Sequence, residues 1–335
     1  MNQNLPPSII EMLKQRKLAT SEAAYFVSQH LDTSPYDEAI DGVTVVMVAY
    51  RTGRILFDSI ARVLDEPQVK QFIIIDNGSS EAAAQRLRQI EDDYDHVLLV
   101  QGHGNIGFGK GANLGAHLAN QPWLVFLNPD AILRPGCVKK LVEAARGRPG
   151  PCLVGARLLN TDLTEQRGAR RGEVTPVTTL LALTRLSKLV PDLHKYEIHY
   201  EDHDLPEGPE AVPTISGACF AVSKRDFARL KGFDSHFFLH VEDVDLCWRA
   251  REAGGTVLFH PHAEVIHEGQ TSRAEPVVVE WNKGQGLVYF FNKRAQGFWR
   301  KFYVGLISPL ILAVAVSRAL LRKRLGDDED ELQGG

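Results

Sequence analysis

The chain has 335 residues, of which 44% are hydrophobic and 24% charged, with a formal net charge of −4. A chain of this length buries most of its surface without a disulfide or metal staple. Its proportions exclude a disordered chain, a collagen-like fibre and a multi-span membrane protein, and its mildly acidic balance argues against a nucleic-acid partner. Cys137, Cys152, Cys219 and Cys247 are scattered with no CxxC, so they read as buried free thiols rather than a zinc site or disulfide framework.

Residues 1–40 read as a helical extension, with helical periodicity over 8–18 and 21–31 and a break at Pro35. Pro6, Pro7, Glu11 and Lys14 interrupt any signal-peptide apolar stretch, so the folded part is expected in the cytoplasm. Residues 43–50 form an apolar run of strand length, the pattern of a strand covered on both faces. A helix over 55–64, a strand over 71–75, a helix over 81–90 capped by Ser79 or Ser80, a strand over 96–100, a helix over 111–119 and a strand over 123–127 follow. This alternation predicts a parallel α/β sheet. Further on, strands are expected at 152–158, 215–222 and 256–259, and helices at 226–230 and 241–253. Residues 168–204 carry no clear pattern.

Polar clusters close the first four strands: Tyr50-Arg51, Asp76-Asn77-Gly78-Ser79, the glycine-rich 102–111 segment, and Asn128-Pro129-Asp130. In a parallel sheet, ligands bind outside the carboxyl ends of strands, so these clusters are expected on one rim. Turn chemistry explains each cluster singly but the set poorly. Gly102-His103-Gly104-Asn105-Ile106-Gly107 matches the G-x-G-x-x-G dinucleotide fingerprint, yet it follows the third strand instead of the first. A diphosphate cradle fits it better than a nicotinamide site. Asn128 and Asp130 offer hard oxygens suited to Mg²⁺ or Mn²⁺, and His267 could complete such a site. Glu242, Asp243 and Asp245 crowd the start of a helix. Helix-dipole complementarity accounts for acids there; a general base is the functional alternative, with Asp243 best placed.

Together these pieces resemble the family 2 glycosyltransferases of GT-A fold, most closely the rhamnosyltransferase-like branch. The resemblance rests on residues 45–50, 75–79, 105–113, 127–130, 216–220, 242–249 and 267–269, collinear over roughly 43–270. It implies an α/β GT-A (nucleotide-diphospho-sugar transferase) sandwich with a mostly parallel central sheet and helical N- and C-terminal extensions, the catalytic domain spanning 41–270. It implies that Tyr50, Arg51, Asp76, Asn77, Asn105, Gly107, Phe108, Gly111, Asn113, Asn128 and Asp130 bind the nucleotide sugar. Asp130 and His267 would hold Mg²⁺ or Mn²⁺. Gly217, Ala218 and Arg249 would meet donor sugar and acceptor, with Asp243 as catalytic base and Glu242 beside it. Asn128 stands where a strict DxD motif has its first acid, and Glu268-Gly269-Gln270-Thr271-Ser272 replaces the family's frequent Gly-Gly-x-Ser. The implied reaction is inverting transfer of a sugar, with dTDP-L-rhamnose ahead of UDP-hexoses as donor, to a lipid-linked or polysaccharide acceptor. A sugar nucleotidyltransferase is disfavoured because 50–54 is poor in glycine. A nonenzymatic nucleotide-sugar-binding protein would not need the acids at 242–245.

The C-terminal region, 271–335, has its own charge pattern. No Asp or Glu occurs from Trp281 to Gly326, while basic residues flank an apolar run over 303–316, and an acidic tail follows at 327–331. The run, roughly 15 residues, is short of the ~20 that span a bilayer, and Pro309 should kink it. An apolar centre with basic ends suits peripheral attachment to the cytoplasmic face of the inner membrane; the alternative is a helix packed on the domain.

Overall fold

The computed structural model describes residues 42–184, 190, 192–193, 198–269 and 276–333. The helical reading of 1–40 and the 270–272 segment lie outside the described residues.

Strand β1 (Val43–Ala49) is buried at every position, as its unbroken apolar run requires. It is followed by α1 (Ile55–Leu64), β2 (Val69–Asp76), α2 (Glu81–Asp93), β3 (Val97–Val100), α3 (Phe108–Leu118) and β4 (Trp123–Leu127). Ser80 caps α2 by accepting from the Ala83 amide. α3 lies close on the sheet because Gly115 has no side chain: a Cβ there would come within 2.3 Å of Val46. Then come β5 (Ala131–Leu133), α4 (Cys137–Ala145), β6 (Cys152–Leu159), β7 (Arg170–Arg171), α5 (Pro176–Thr184), β8 (Glu210–Ala211), β9 (Thr214–Ile215), β10 (Cys219–Ser223), α6 (Lys224–Arg229), α7 (Glu242–Glu252), β11 (Thr256–His267), α8 (Pro276–Arg294) and α9 (Phe298–Gln333).

The main sheet has the order β3-β2-β1-β4-β10-β6-β11-β5, with β8 on β11. β3, β2, β1 and β4 pair in parallel, and β10 is antiparallel to both β4 and β6. β6 therefore runs with β4, and β11 runs parallel to β6. Most strands share one direction, as the sequence predicts, while β5, β8 and β10 oppose them. All four cysteines are buried.

Two expectations need correction. Residues 215–222 are not one strand: β9 pairs with β7 in a small second sheet, and β10 joins the main sheet. Between them the backbone is committed elsewhere, with Ser216 N donating to Ala169 O and Ala218 O accepting from Asn128 N. Apolarity alone cannot reveal that detour. The strand expected at 256–259 continues to His267, past an irregularity between His260 and Glu264.

A second apolar cluster joins the C-terminal hairpin to the α/β core. Leu287, Phe290 and Phe291 of α8 and Val304 and Ile311 of α9 pack with Val174, Phe237, Val241 and Val244. α9 runs uninterrupted through Pro309. The stretch Phe298–Ser317, 20 residues, is long and apolar enough to cross a membrane by length and composition, and 17% of its apolar window is buried in the fold. The helix starts before the apolar run, which is why counting uncharged residues understated it.

Candidate active site

The shared direction of β3, β2, β1 and β4 brings their four carboxyl ends to one rim. At the end of β2, Asp76 Oδ1 accepts from the amides of Gly78 (3.1 Å) and Ser79 (2.8 Å). Its Oδ2 accepts from Gln101 Nε2 at 2.8 Å. Asn77 Nδ2 donates to Gly107 O at 3.2 Å and to Asn105 Oδ1 at 3.4 Å, tying the glycine-rich loop to β2. Asn77 Oδ1 is buried with no hydrogen-bond partner among the described residues. Gly107 must be glycine: its φ is +84°, and a Cβ would meet Phe238 O at 2.7 Å. Phe108 N donates to the same carbonyl at 3.1 Å, and the Phe108 ring stands edge-on to Phe233. Tyr50 lies beside Gly78, and the exposed Arg51 guanidinium sits over the Tyr50 ring.

At the end of β4, Asn128 and Asp130 meet His267 from the end of β11. His267 Nε2 lies 3.2 Å from Asp130 Oδ1 and 3.3 Å from Asn128 Nδ2. His267 Nδ1 bonds Gln166 Oε1 at 2.6 Å, while Gln166 Nε2 donates to His267 O (2.9 Å) and Asn160 Oδ1 (3.3 Å). With Gln166 Oε1 as the acceptor, Nδ1 carries a hydrogen and Nε2 is turned toward Asp130. An imidazole whose outer nitrogen is fixed by an acceptor is the usual arrangement of a metal-ligating histidine. A carboxylate and a histidine nitrogen facing each other on this rim are ligand types that fit Mg²⁺ or Mn²⁺. No group of three or more His, Cys, Asp or Glu able to hold a metal occurs among the described residues.

The acids at 242–245 divide their work. His240 and Val241 adopt successive left-handed conformations, φ +67° and +73°, which is a strained state for a β-branched residue. That turn presents Glu242 and Asp243 at the start of α7. Asp243 Oδ2 accepts from Arg171 Nη2 at 2.6 Å and from Gly217 N at 3.1 Å, and Oδ1 accepts from Val244 N at 2.8 Å. Burial works against its ionisation, but Arg171 and the two amides outweigh it and hold the carboxyl below the ordinary value. Burial and the adjacent Asp243 push Glu242 the other way, up to about 8. Glu242 Oε2 has no hydrogen-bond partner among the described residues. The two acids are thus pushed apart, Asp243 toward the charged form and Glu242 toward the protonated one. Asp245 instead braces the helix, since it is fully buried and bonded to Arg249 and Lys293.

A run of direct contacts joins the two halves of the site. Asp243 bonds Gly217; the next residue, Ala218, accepts from Asn128 N at 2.8 Å; and Asn128 touches His267, which faces Asp130. Arg249 and Asn113 are placed differently from the sequence expectation. Arg249 spends its donors on Asp245, Leu230 O and Gly232 O, an i,i+4 brace behind the site. Asn113 exchanges two 2.8 Å bonds with the Phe233 backbone and anchors that loop on α3. Gly111 sits in the first turn of α3, where a Cβ would be 3.0 Å from Val48. Sequence reasoning missed Arg171 and Gln166. Both lie where no periodic pattern exists, and β7 is only two residues long.

Residues 41–281 match the family model described as glycosyltransferase like family 2. The chain is 27% identical over 275 residues to the N-acetylglucosaminyl-diphospho-decaprenol L-rhamnosyltransferase of Mycobacterium tuberculosis, covering 78% of this chain and 87% of that protein. It is 26% identical over 191 residues to rhamnosyltransferase WbbL of Escherichia coli K12, covering 54% and 67%. Its fold is similar to that of the mannosyltransferase PcManGT from Pyrobaculum calidifontis, solved with GDP-Man and Mn²⁺. The TM-score is 0.53 at 15% identity, covering 95% of this chain and 86% of that one.

Proposed function

The chain belongs to glycosyltransferase family 2, and from that premise we propose that it is an inverting L-rhamnosyltransferase that uses dTDP-L-rhamnose and a lipid-linked acceptor at the cytoplasmic face of the membrane. The observation that carries this reading is the contact run from Asp243 through Gly217, Ala218 and Asn128 to His267 and Asp130. It puts the Asp243 carboxylate a few direct contacts from Asp130 and His267, which supports a direct displacement. The rhamnosyl and lipid-linked parts are supported by the named activity of the mycobacterial relative.

In this mechanism the β2 and β3 ends, with Asp76, Asn77 and Asn105, receive the nucleotide. The glycine-rich loop and the start of α3 border the diphosphate, with the Gly107 and Phe108 amides holding the loop's shape through Asn105 Oδ1 and Phe238 O. A Mg²⁺ or Mn²⁺ ion held by Asp130 and His267 would neutralise charge on the departing diphosphate. Arg171 and the amides of Gly217 and Val244 aim Asp243, which takes the proton of the acceptor hydroxyl as that oxygen attacks the anomeric carbon. Glu242, still protonated at neutral pH, offers a hydrogen-bond donor to the acceptor sugar. The test is product analysis by mass spectrometry with dTDP-L-rhamnose and with UDP-hexoses, on a lipid-linked N-acetylglucosamine diphosphate acceptor, with NMR of the new linkage. Rhamnosyl transfer with inverted configuration is expected. Retention, or preference for a UDP-hexose, would overturn the assignment.

A further inference from the structure

The first turns of α9 have two apolar faces. One is sealed against the protein: Val304, Ile311 and Ala315 are 5%, 0% and 2% exposed, and Ile307 and Val314 pack beside them. The other faces outward: Trp299 is 77% exposed, Phe302 52%, Leu306 66% and Leu310 52%, with Phe298 and Tyr303 alongside. Their three- and four-residue spacing makes one continuous stripe. Three of its rings cluster, Phe298 with Trp299 at 5.3 Å and with Phe302 at 6.3 Å between centroids. Soluble surfaces rarely leave so large an apolar patch uncovered unless it is an interaction site. Exposed Arg300 and Lys301 flank it, and no acid occurs from Trp281 to Gly326.

We infer that this stripe docks the chain flat on an anionic bilayer, and that α8 fixes the candidate acceptor site to that docked surface. Aromatic rings with flanking cations suit the headgroup boundary, where rings bury and cations meet lipid phosphate. The helix lies in the interface and does not cross it. Its inner face is packed on the domain along the whole stretch from Val304 to Ala315, so a crossing would draw the polar domain into hydrocarbon.

The hairpin is also bonded to the segments that carry the base. Lys293 Nζ bonds Asp245 Oδ1 of α7 and Asp234 Oδ2, each at 2.7 Å, and Tyr289 Oη donates to Asp234 Oδ2 at 3.1 Å. Arg294 bonds Glu173 Oε1 at 2.7 Å and Val174 O at 3.0 Å, two and three residues beyond Arg171. Gly286 abuts the His240–Val241 turn. Docking the stripe therefore brings Glu242 and Asp243 to a fixed place relative to the lipid surface. This second half rests on the lipid-linked acceptor proposed above; the docking itself does not.

The test uses the full chain, flotation with vesicles of 30% phosphatidylglycerol in phosphatidylcholine and of phosphatidylcholine alone, and transfer to a vesicle-borne acceptor and to a short-chain soluble one. The triple variant Trp299→Ser, Phe302→Ser, Leu306→Ser alters only outward side chains, and an unchanged Tm verifies its fold. Wild type should float with the anionic vesicles. The triple variant should lose at least tenfold in binding and in rate on the vesicle-borne acceptor, with its rate on the soluble acceptor within twofold of wild type. Arg300→Glu with Lys301→Glu should weaken binding to anionic vesicles alone. Undiminished binding of the triple variant overturns the docking. So does a wild type that ignores vesicles while the triple variant changes its sedimentation, because the stripe would then cover a second copy. Equal losses on both acceptors overturn the positioning half. Absence of transfer by wild type to either acceptor refutes the enzymatic reading and leaves the flotation result standing.

Discussion

Arg171→Met removes the charge facing Asp243 while keeping an apolar stem of similar length. The two side chains are 17% and 16% exposed and meet at 2.6 Å, so solvent screens them little. An opposite charge this close lowers a carboxylate by about 1–3 pH units, or roughly 1.4–4 kcal/mol between its two protonation states. The other groups around Asp243 do not replace it: Glu242 is acidic, His240 and Cys247 are neutral, and Gly217 and Val244 supply only amides. Asp243 in the variant should therefore take up its proton at higher pH, moving the acid limb of kcat upward by about 1–3 units. At pH 7.5 the carboxylate stays largely ionised, and the loss there, about 10- to 100-fold, comes from lost aim. Arg171→Lys keeps the charge, but a compact ammonium cannot also reach Ile215 O as the guanidinium does at 3.0 Å. Its acid limb should match wild type while kcat falls between the two. The assay is kcat against pH from 4.5 to 8 with both substrates saturating. An Arg171→Met acid limb superimposed on wild type would refute the role given to this ion pair.

Glu242→Gln should change stability in a pH-dependent way. In the unfolded chain Glu242 ionises near 4.5 and in the folded chain near 8, so the folded state holds the extra proton between those values. Stability falls as pH rises through that window, by up to a few kcal/mol. The variant should match wild type in Tm at pH 5 and exceed it by several degrees at pH 8.5; a constant difference contradicts the assignment. Gln166→Leu removes the acceptor that fixes His267, and calorimetry should find Mn²⁺-dependent binding of the nucleoside diphosphate weakened about 10- to 100-fold. Gly107→Ala should lower stability by about 1–3 kcal/mol in urea titration, because the alanine needs both a left-handed backbone and a shift of Phe238.

What the sequence made legible follows physical periodicity. β1 and β4 announce themselves as short apolar runs closed by polar clusters, and α1 by its 3–4 spacing, so the rim with Asp76, Asn105 and Asp130 could be placed before any coordinates. Arg171 and Gln166 could not, because their positions come from tertiary demands: β7 is a two-residue strand held by β9 and by a bridge to His199, and Gln166 matters because β11 ends beside it. The internal partners of Arg249 were equally illegible. The resemblance implies a sugar contact for it, while in the fold it bonds Asp245 four residues earlier. The C-terminal hairpin has one face packed on the domain and the other exposed, a division that its charge pattern alone does not reveal.

The central claim is that Asp243 is the base of a displacement whose donor binds independently of it. Asp243→Asn keeps the shape and can still accept from Arg171 and Gly217, but it cannot take a proton. Paired measurements of kcat on the full chain and of donor Kd by calorimetry test this directly. The expected result is a kcat loss of about 10²- to 10⁴-fold, or roughly 2.7–5.5 kcal/mol of barrier, with donor Kd within about twofold of wild type. A variant that turns over near the wild-type rate would contradict the claim, as would one that loses donor binding in step with turnover.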